Sequence, residues 1–146
     1  MRLAVALLAL MTTQSHATEN QLECMALNIY HEARGEEPLG QVAVAQVVMN
    51  RVQHDWFPDT ICDVVYQGSQ FSWTHMRRDH FPHDTEAYML AVAIANAVIE
   101  GEFQHDLTGG ATFYHTTEVN PGWNAQMQMT DVIGVHEFYY WDGTWN

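Results

Sequence analysis

The amino-acid sequence predicts one α+β domain whose first two-thirds are helical and whose last part is a small antiparallel sheet. Apolar residues recur at helical spacing in the long segments before Gly101. After Gly101 the pattern changes to short β-like runs at residues 126–133 and 136–141, which Gly134 separates. No internal repeat or low-complexity linker interrupts the 146 residues, a length typical of a single domain.

The first two helices are predicted from capping signals and apolar stripes. Residues 18–21, Thr-Glu-Asn-Gln, have the form of a capping box, so we expect a helix to begin near Glu19 and to end at Gly35. Pro38 favours the start of a second helix. Its main part, residues 41–52, is apolar on nearly every side, which predicts a buried central helix.

A short helix and a third long helix flank an irregular stretch. The short helix is predicted over residues 60–66. Residues 67–82 show no clear periodicity, and a long irregular stretch in a chain of this size is more often functional than ornamental. A cap at Asp84 or Thr85 predicts the third long helix, which ends before Gly101 and turns these residues inward: Ala87, Leu90, Ala91, Ile94, Ala95 and Val98.

Residues 1–17 are predicted to be a cleaved signal peptide. A positively charged start, Met1-Arg2, precedes the apolar run Leu3–Met11, and Ser15-His16-Ala17 provides small residues for cleavage. The run is too short to span a bilayer, and the alternative is an apolar helix that belongs to the fold. We therefore expect an exported, periplasmic or extracellular domain, residues 18–146, with no membrane attachment after cleavage.

The charge balance excludes two classes of partner. The chain has 18 Asp and Glu against five basic residues, all of which are arginine. Without residues 1–17, four arginines remain and the net charge is −14. Nucleic-acid binders and proteins that adhere to anionic lipid depend on Lys and Arg contacts to phosphate. We therefore expect neither kind of partner.

The two cysteines are expected to form a disulfide. Cys24 and Cys62 would lie in an oxidising compartment after export, where a pair of thiols normally closes. A catalytic cysteine is disfavoured because neither residue has an adjacent histidine or a glycine-rich turn. A metal-binding pair is disfavoured because the spacing is unlike CxxC.

Glu32 is the candidate for acid–base chemistry. It lies seven residues after Met25 and three after Ile29, on the apolar stripe of the first helix. Desolvation and the negative end of the helix dipole both raise the pKa of a carboxyl group there. A protonated carboxyl near neutral pH is what a general acid requires. The alternatives are a buried glutamate paired with Arg34 or another arginine, or an exposed, frayed helix end.

Short motifs of distinctive composition occur along nearly the whole chain after residue 18. The most specific are the run Ala26–Glu36, which contains Glu-Ala-Arg-Gly-Glu, and the downstream Asn50-Arg51-Val52. The others are Gly40–Ala45, Phe57-Pro58, Gln70–Trp73, Thr108–Ala111, Tyr114-His115, Ile133-Gly134 and Phe138-Tyr139. Together they resemble the SleB/CwlJ family of cell wall hydrolases, named for spore cortex-lytic enzymes. The cysteines also resemble those of exported proteobacterial relatives.

The resemblance implies a lysozyme-like domain, related to lytic transglycosylases, that acts on peptidoglycan glycan strands. The bond implied is the β-1,4 link between N-acetylmuramic acid (MurNAc) and N-acetylglucosamine (GlcNAc). The catalytic glutamate of the family falls on Glu32, the residue that the helical pattern also selects. Arg34 and Glu36 are expected to set the geometry of the helix end. A lytic transglycosylase can work with one carboxylate, so we expect no cofactor and no metal.

Candidate substrate contacts follow from the same motifs. The candidates for hydrogen bonds to the sugar are Ser72, Tyr114 and His115, and those for apolar walls are Phe71, Trp73 and Trp123. Core packing is the alternative role for each aromatic residue. The chain departs from the family pattern at Ser69, where relatives often have Cys, and at Phe113, where many have His. Both departures are expected to affect the substrate cleft.

Two other functions fit parts of the sequence. A zinc-dependent amidase that cuts the sugar–peptide link would use ligands from the irregular stretch: His75, His80 and His83, with Asp79 and Asp84 nearby. The HExxH pattern itself fails, because Gly35 stands where the second histidine would be. A non-catalytic peptidoglycan-binding domain is the other alternative. Nothing in the sequence indicates the oligomeric state.

Overall fold

Helices come first and the sheet last in the computed structural model of the chain, which describes residues 2–145 and the side chains of residues 18–145. The α-helices are α1 (Arg2–Ala33), α2 (Pro38–Val52), α3 (Ile61–Val65) and α4 (Thr85–Ile99). The strands are β1 (Phe113–Thr116), β2 (Gln128–Ile133) and β3 (His136–Tyr140), and single 3-10 turns cover Ser72–His75 and Trp123–Gln126. The predicted α+β architecture is confirmed.

The start of α1 differs from the prediction. The helix does not begin near Glu19 but continues upstream to Arg2. Residues 2–19 contain neither Gly nor Pro, so nothing in this segment interrupts the helical backbone, and the capping box at residues 18–21 does not act as a start. The predicted signal peptide, residues 1–17, lies outside the part of the chain whose side chains are described, and it stays a prediction.

Helix α2 is the buried centre of the helical part, as its sequence predicts. Residues 42–48 are all buried, and α2 packs against α1, α3 and α4. Helix α4 begins after Asp84, whose carboxylate accepts a hydrogen bond from the Ala87 backbone N–H at 3.0 Å. The inward prediction for Leu90 is wrong, because this side chain is 41% exposed. It lies about 100° round the helix from Ala91 and about 140° from Ala95, outside the buried stripe that these residues form.

The predicted disulfide is confirmed. Cys24 of α1 and Cys62 of α3 are bonded, with their Cα atoms 5.2 Å apart. Next to the bond, the backbone N–H of Cys62 donates to Oε1 of Gln21 at 3.0 Å. Helix α3 is thereby attached to α1 at two positions, Gln21 and Cys24. Among the described residues, no helix is long and apolar enough to cross a bilayer.

The sheet packs against α2 and lies beside the end of α1. Its strand order is β1-β3-β2, all antiparallel, so β1 is an edge strand. Phe138 of β3 is fully buried against Ala43 and Val47 of α2. Tyr114 is paired with Phe138 across the strands, and its side chain therefore shares the helix-facing side of the sheet. This register brings Tyr114 to the C-terminal end of α1.

Candidate active site

Glu32 and Tyr114 form the centre of the candidate site. Glu32 lies in the last turn of α1, and its carboxylate Oε2 accepts a hydrogen bond from the Tyr114 hydroxyl at 2.8 Å. The two residues are 82 positions apart in the sequence. The site therefore depends on the sheet being docked against the helices.

Burial sets the protonation of both groups. Desolvation raises the pKa of Glu32, while the Tyr114 hydrogen bond and the positive charge of Arg51 oppose the rise. Burial also raises the pKa of the Tyr114 phenol well above its usual range, and the Glu32 carboxylate adds to that rise. Tyr114 consequently stays protonated and acts as the donor. The raised pKa of Glu32 has the direction that its position on the apolar stripe predicts.

Arg51 completes the site, and we did not select it from the sequence. It is only 3% exposed, and its Nε donates to the Thr112 carbonyl at 2.7 Å. Burial lowers its pKa to about 10, opposed by Tyr114 and Glu32, so it remains a cation at neutral pH. The sequence signal was present: an arginine inside the apolar helix α2 needs a partner.

The aromatic rings around Arg51 explain how a cation is held in the core. Its guanidinium carbon lies 5.2 Å from the ring centres of Phe57 and Phe71, and 5.3 Å from that of Phe113. Cation–π attraction to these rings compensates for part of the lost hydration. Arg34, the other arginine considered as a partner for Glu32, is exposed and lies over the Tyr30 ring at 4.7 Å.

Phe71 and Trp73 lie in the hydrophobic core, which was the alternative to a role as sugar-binding walls. They are 3% and 2% exposed. The Trp73 indole Nε1 donates to the buried Asn28 at 2.9 Å, and its ring stacks on His31 at 4.4 Å. Neither residue has a ring face open to a ligand. Ser72, between them, is exposed.

His115 and Trp123 lie on the other side of the sheet from Glu32. Consecutive residues of a strand point to opposite faces, so His115 points away from the face that carries Tyr114. Its ring stacks on Tyr139 at 5.1 Å and meets Trp123 edge-on at 5.6 Å. The Tyr139 hydroxyl donates to Glu137 at 2.6 Å. Of the six predicted substrate contacts, Tyr114 is the one whose side chain is hydrogen-bonded to Glu32.

Glu36 connects the end of α1 to the turn between β2 and β3. Its Oε2 accepts a hydrogen bond from the Val135 backbone N–H at 3.4 Å. Gly134 in this turn has φ of +60°, and a Cβ there would overlap Glu36 Oε2. The Glu36 carbonyl also accepts from Gln41 Nε2 at 3.0 Å. Through these contacts Glu36 links the end of α1 to the β2–β3 turn, and its supporting role in the site stays a prediction.

The histidines proposed as zinc ligands point to different partners. His75 Nε2 accepts from the Ser69 backbone N–H at 3.0 Å, and His80 Nε2 is 3.0 Å from the Met76 carbonyl. His83 pairs with Asp79 at 2.6 Å. In the described part of the chain, no three His, Cys, Asp or Glu side chains form a group that could hold a metal. This geometry gives the zinc amidase alternative no support.

Two cavities lie away from Glu32. One of about 510 Å³ lies between residues 18–22 of α1, the start of α3 and the ends of α2 and α4, and one of about 290 Å³ lies between α2 and the segment after α4. Glu32 lines neither of them. The candidate site is defined by its hydrogen-bonded, desolvated carboxyl group.

Comparison with known proteins identifies the family. Residues 35–139 match the family model of the cell wall hydrolases. The chain belongs to the cell wall hydrolase family. The resemblance seen in the sequence motifs is thereby confirmed. Glu32 lies three positions before the matched residues, so this match does not itself cover it.

Relatives in this family are spore cortex-lytic enzymes. Those of Halalkalibacterium halodurans and Bacillus cereus are 33% and 32% identical over 123 residues, or 83% of this chain. The aligned part is only 35% and 44% of these relatives, so the chain spans less than half of their length.

Solved structures show the same fold. The catalytic domain of the Bacillus cereus SleB protein has a TM-score of 0.66 and 29% identity, covering 84% of this chain and 91% of that domain. The catalytic domain of the germination-specific lytic transglycosylase SleB from Bacillus anthracis has a TM-score of 0.66 and 30% identity, covering 83% and 94%. This cell wall hydrolase therefore corresponds to the catalytic domain of SleB-type proteins.

Proposed function

We propose that this cell wall hydrolase cleaves the β-1,4 bond between MurNAc and GlcNAc of peptidoglycan as a lytic transglycosylase, with Glu32 as both acid and base. The single observation that carries the proposal is the desolvated Glu32 carboxyl with its raised pKa, held by Tyr114. We place the activity outside the cytoplasm, on wall glycan strands, after removal of residues 1–17.

The first step is protonation of the leaving group. Because Tyr114 donates to Oε2 of Glu32, the acidic proton is carried by Oε1. Glu32 gives this proton to the glycosidic oxygen as the bond from that oxygen to MurNAc C1 breaks. The carboxylate that results is stabilised by the Tyr114 hydrogen bond and by the charge of Arg51, the two groups that lower its pKa.

The second step uses the same carboxylate as a base. The 6-hydroxyl oxygen of MurNAc attacks C1 of the same sugar, and Glu32 accepts the proton of that hydroxyl. The products are a 1,6-anhydro-MurNAc end and a free GlcNAc 4-hydroxyl, and Glu32 is protonated again. The reaction consumes no water, and Glu32 carries out both proton transfers.

The electrostatic surroundings of Glu32 support a one-carboxylate mechanism. A hydrolysing glycosidase normally uses two carboxyl groups that flank the scissile bond. Among the described residues, the groups that shift the Glu32 pKa are Tyr114 and Arg51, and no second acid is among them. With no second acid among these groups, the site supports intramolecular attack by the 6-hydroxyl over activation of water.

The test is the chemistry of the products released from purified sacculi. We expect mass spectrometry to show 1,6-anhydro-MurNAc ends with the wild-type protein and none with Glu32→Gln. Glu37→Gln, at the exposed N-cap of α2, is the matched control and should behave as wild type. Reducing MurNAc ends would contradict the transglycosylase assignment. EDTA-sensitive release of peptides by an active Glu32→Gln variant would favour the amidase, and binding without any product would favour a non-catalytic domain.

A further inference from the structure

Most tryptophan residues of this chain lie in one aromatic cluster around the start of β1. Four of its five tryptophans belong to it: Trp56, Trp123, Trp141 and Trp145. Phe113 is at the centre, with its ring 5.4 Å from Trp123, 6.0 Å from Trp141 and 6.3 Å from Trp145. Trp56 lies 5.8 Å from Trp141.

The outer members of this cluster are exposed to solvent. Trp56 is 66% exposed and Trp145 is 54% exposed, whereas Trp141 beneath them is 5% exposed. Trp123 is partly exposed. Several large apolar side chains exposed side by side mark a binding surface more often than a structural feature. We call Trp56, Trp123 and Trp145 the tryptophan surface.

The C-terminal tail is folded so that it presents Trp145. The Trp141 indole Nε1 donates to the Thr144 carbonyl at 2.6 Å. The Asp142 side chain accepts from the Thr144 backbone N–H at 2.9 Å and from its hydroxyl at 2.7 Å. These bonds close a turn over residues 141–144, so Trp145 is held before any ligand binds.

Gly143 allows this tail to meet Trp56. Its φ is +91°, and a Cβ there would lie 2.7 Å from Nε1 of Trp56. Only glycine combines that backbone conformation with such a close approach. The tail and the loop after α2 are therefore in direct contact, and the two exposed tryptophans are part of one continuous surface.

The tryptophan surface lies across the edge strand β1 from Glu32 and is connected to the candidate active site through Phe113. Phe113 directly precedes Tyr114, and the Arg51 guanidinium lies 5.3 Å from the Phe113 ring. Trp141 and Trp145 follow residue 139, where the match to the family ends. The surface is thus connected to the candidate site but is built partly from residues after the family match.

We infer that the tryptophan surface binds pyranose rings of the glycan strand beyond the cleaved bond, and so holds the polymer while Glu32 acts on it. This inference rests on the proposed function for the identity of the polymer. Pyranose rings have apolar C–H faces that stack on indole rings, and exposed Trp combines a flat apolar face with a polar N–H. With five basic residues against 18 acidic ones, the chain does not attract an anionic partner, so neutral ring contacts have to supply the binding.

Binding is tested in a background that does not turn over substrate. Trp56→Ala, Trp145→Ala and the double variant are combined with Glu32→Gln, and co-sedimentation with insoluble sacculi gives the dissociation constant. We expect each single change to weaken binding about five- to tenfold and the double change to weaken it further. Met89→Ala, which removes a 67% exposed apolar side chain from α4, should leave binding unchanged. A chitin oligosaccharide should also shift the tryptophan fluorescence of the unaltered surface, a readout that needs no substitution on it.

The outcomes separate this inference from the proposed function. If the wild-type protein cleaves sacculi but the tryptophan variants bind as tightly as their parent, the tryptophan surface has no role in glycan binding. If the variants lose binding while wild type releases no product, the surface stands and the proposed function falls. A concentration-dependent dimer in sedimentation velocity, abolished by Trp145→Ala and insensitive to the oligosaccharide, would assign the surface to self-association and overturn the inference.

Discussion

The two faces of strand β1 place the neighbouring residues Tyr114 and His115 in different environments. Tyr114 points to the helices, where burial raises its pKa and that of Glu32. His115 points the other way, into a group with the buried Tyr139 and the partly exposed Trp123. The pKa of a carboxyl group shifts most where water is excluded. Aromatic rings, in contrast, can stack on sugars only where a ring face is exposed to solvent. The strand thus separates a chemical side from a binding side by the two-residue period of its backbone.

The chemical side depends most strongly on Glu32. Replacement by Gln keeps the hydrogen bond from Tyr114 but removes the transferable proton, so we expect product release to fall about 10²- to 10⁴-fold. The rate of soluble product formation from sacculi measures this, and circular dichroism checks that the fold is retained. Residual activity within tenfold of wild type would show that Glu32 is not the catalytic acid.

The attachment of α3 to α1 should contribute more to stability than to chemistry. Replacing both Cys24 and Cys62 with Ser opens a loop of 38 residues and should lower the free energy of unfolding by about 3–4 kcal/mol. Urea unfolding of the variant, and of wild type with and without reductant, measures this loss. Activity at low temperature should persist, since the bond lies two turns of α1 before Glu32. A selective loss of turnover in a fully folded variant would contradict this separation.

Tyr114→Phe keeps the ring in the core and removes only the donor to Glu32. We expect turnover to fall about tenfold, as for a lost hydrogen bond to a charged group. The Tyr114 hydrogen bond lowers the Glu32 pKa, so its loss raises that pKa further. The limb of the pH–rate profile where activity falls as Glu32 loses its proton should therefore shift to higher pH. A shift to lower pH would show that Tyr114 does not act on the acid.

The smallest effect is expected at the turn that Glu36 contacts. Gly134→Ala places a Cβ against Glu36 in a left-handed backbone conformation and should destabilise the fold by about 1–3 kcal/mol. Gly101→Ala is the matched control, because its φ of +71° is similar but nothing lies within 4 Å of a Cβ there. Thermal unfolding of the two variants tests the difference. Equal melting temperatures would show that Glu36 does not constrain the turn.

Periodicity and capping predicted most of the fold. Helices α2 and α4 and the position of the sheet after them follow from local patterns. The pairing of Cys24 with Cys62 follows from the expected export to an oxidising compartment. The start of α1 did not, because a capping signal cannot end a helix that the upstream residues can continue. Leu90 was misplaced because it lies at the margin of its apolar stripe, where small rotations of the helix decide exposure.

Only part of the candidate site could be predicted from the sequence. Glu32 could be found because a charged residue on an apolar helical stripe is itself a local anomaly. Tyr114 was selected only as a sugar contact and Arg51 was not selected, because strand register and helix packing, which local patterns do not give, bring the two residues to Glu32. Phe71 and Trp73 were assigned to the cleft because they lie in a motif that resembles the family, and a motif does not show whether its aromatic residues pack in the core or line a surface.

The contact between Glu32 and Tyr114 also fixes when the site can exist. It closes a loop of 82 residues, whereas the disulfide spans 38 and lies wholly within the helical part. Closing the longer loop costs more chain entropy and requires the sheet, whose strands follow all four helices in the sequence. We therefore expect α1, with Glu32, to form before Tyr114 docks against it. Assembly of the acid is a late event in folding, and a chain that has not yet docked its C-terminal strands carries Glu32 without its Tyr114 donor.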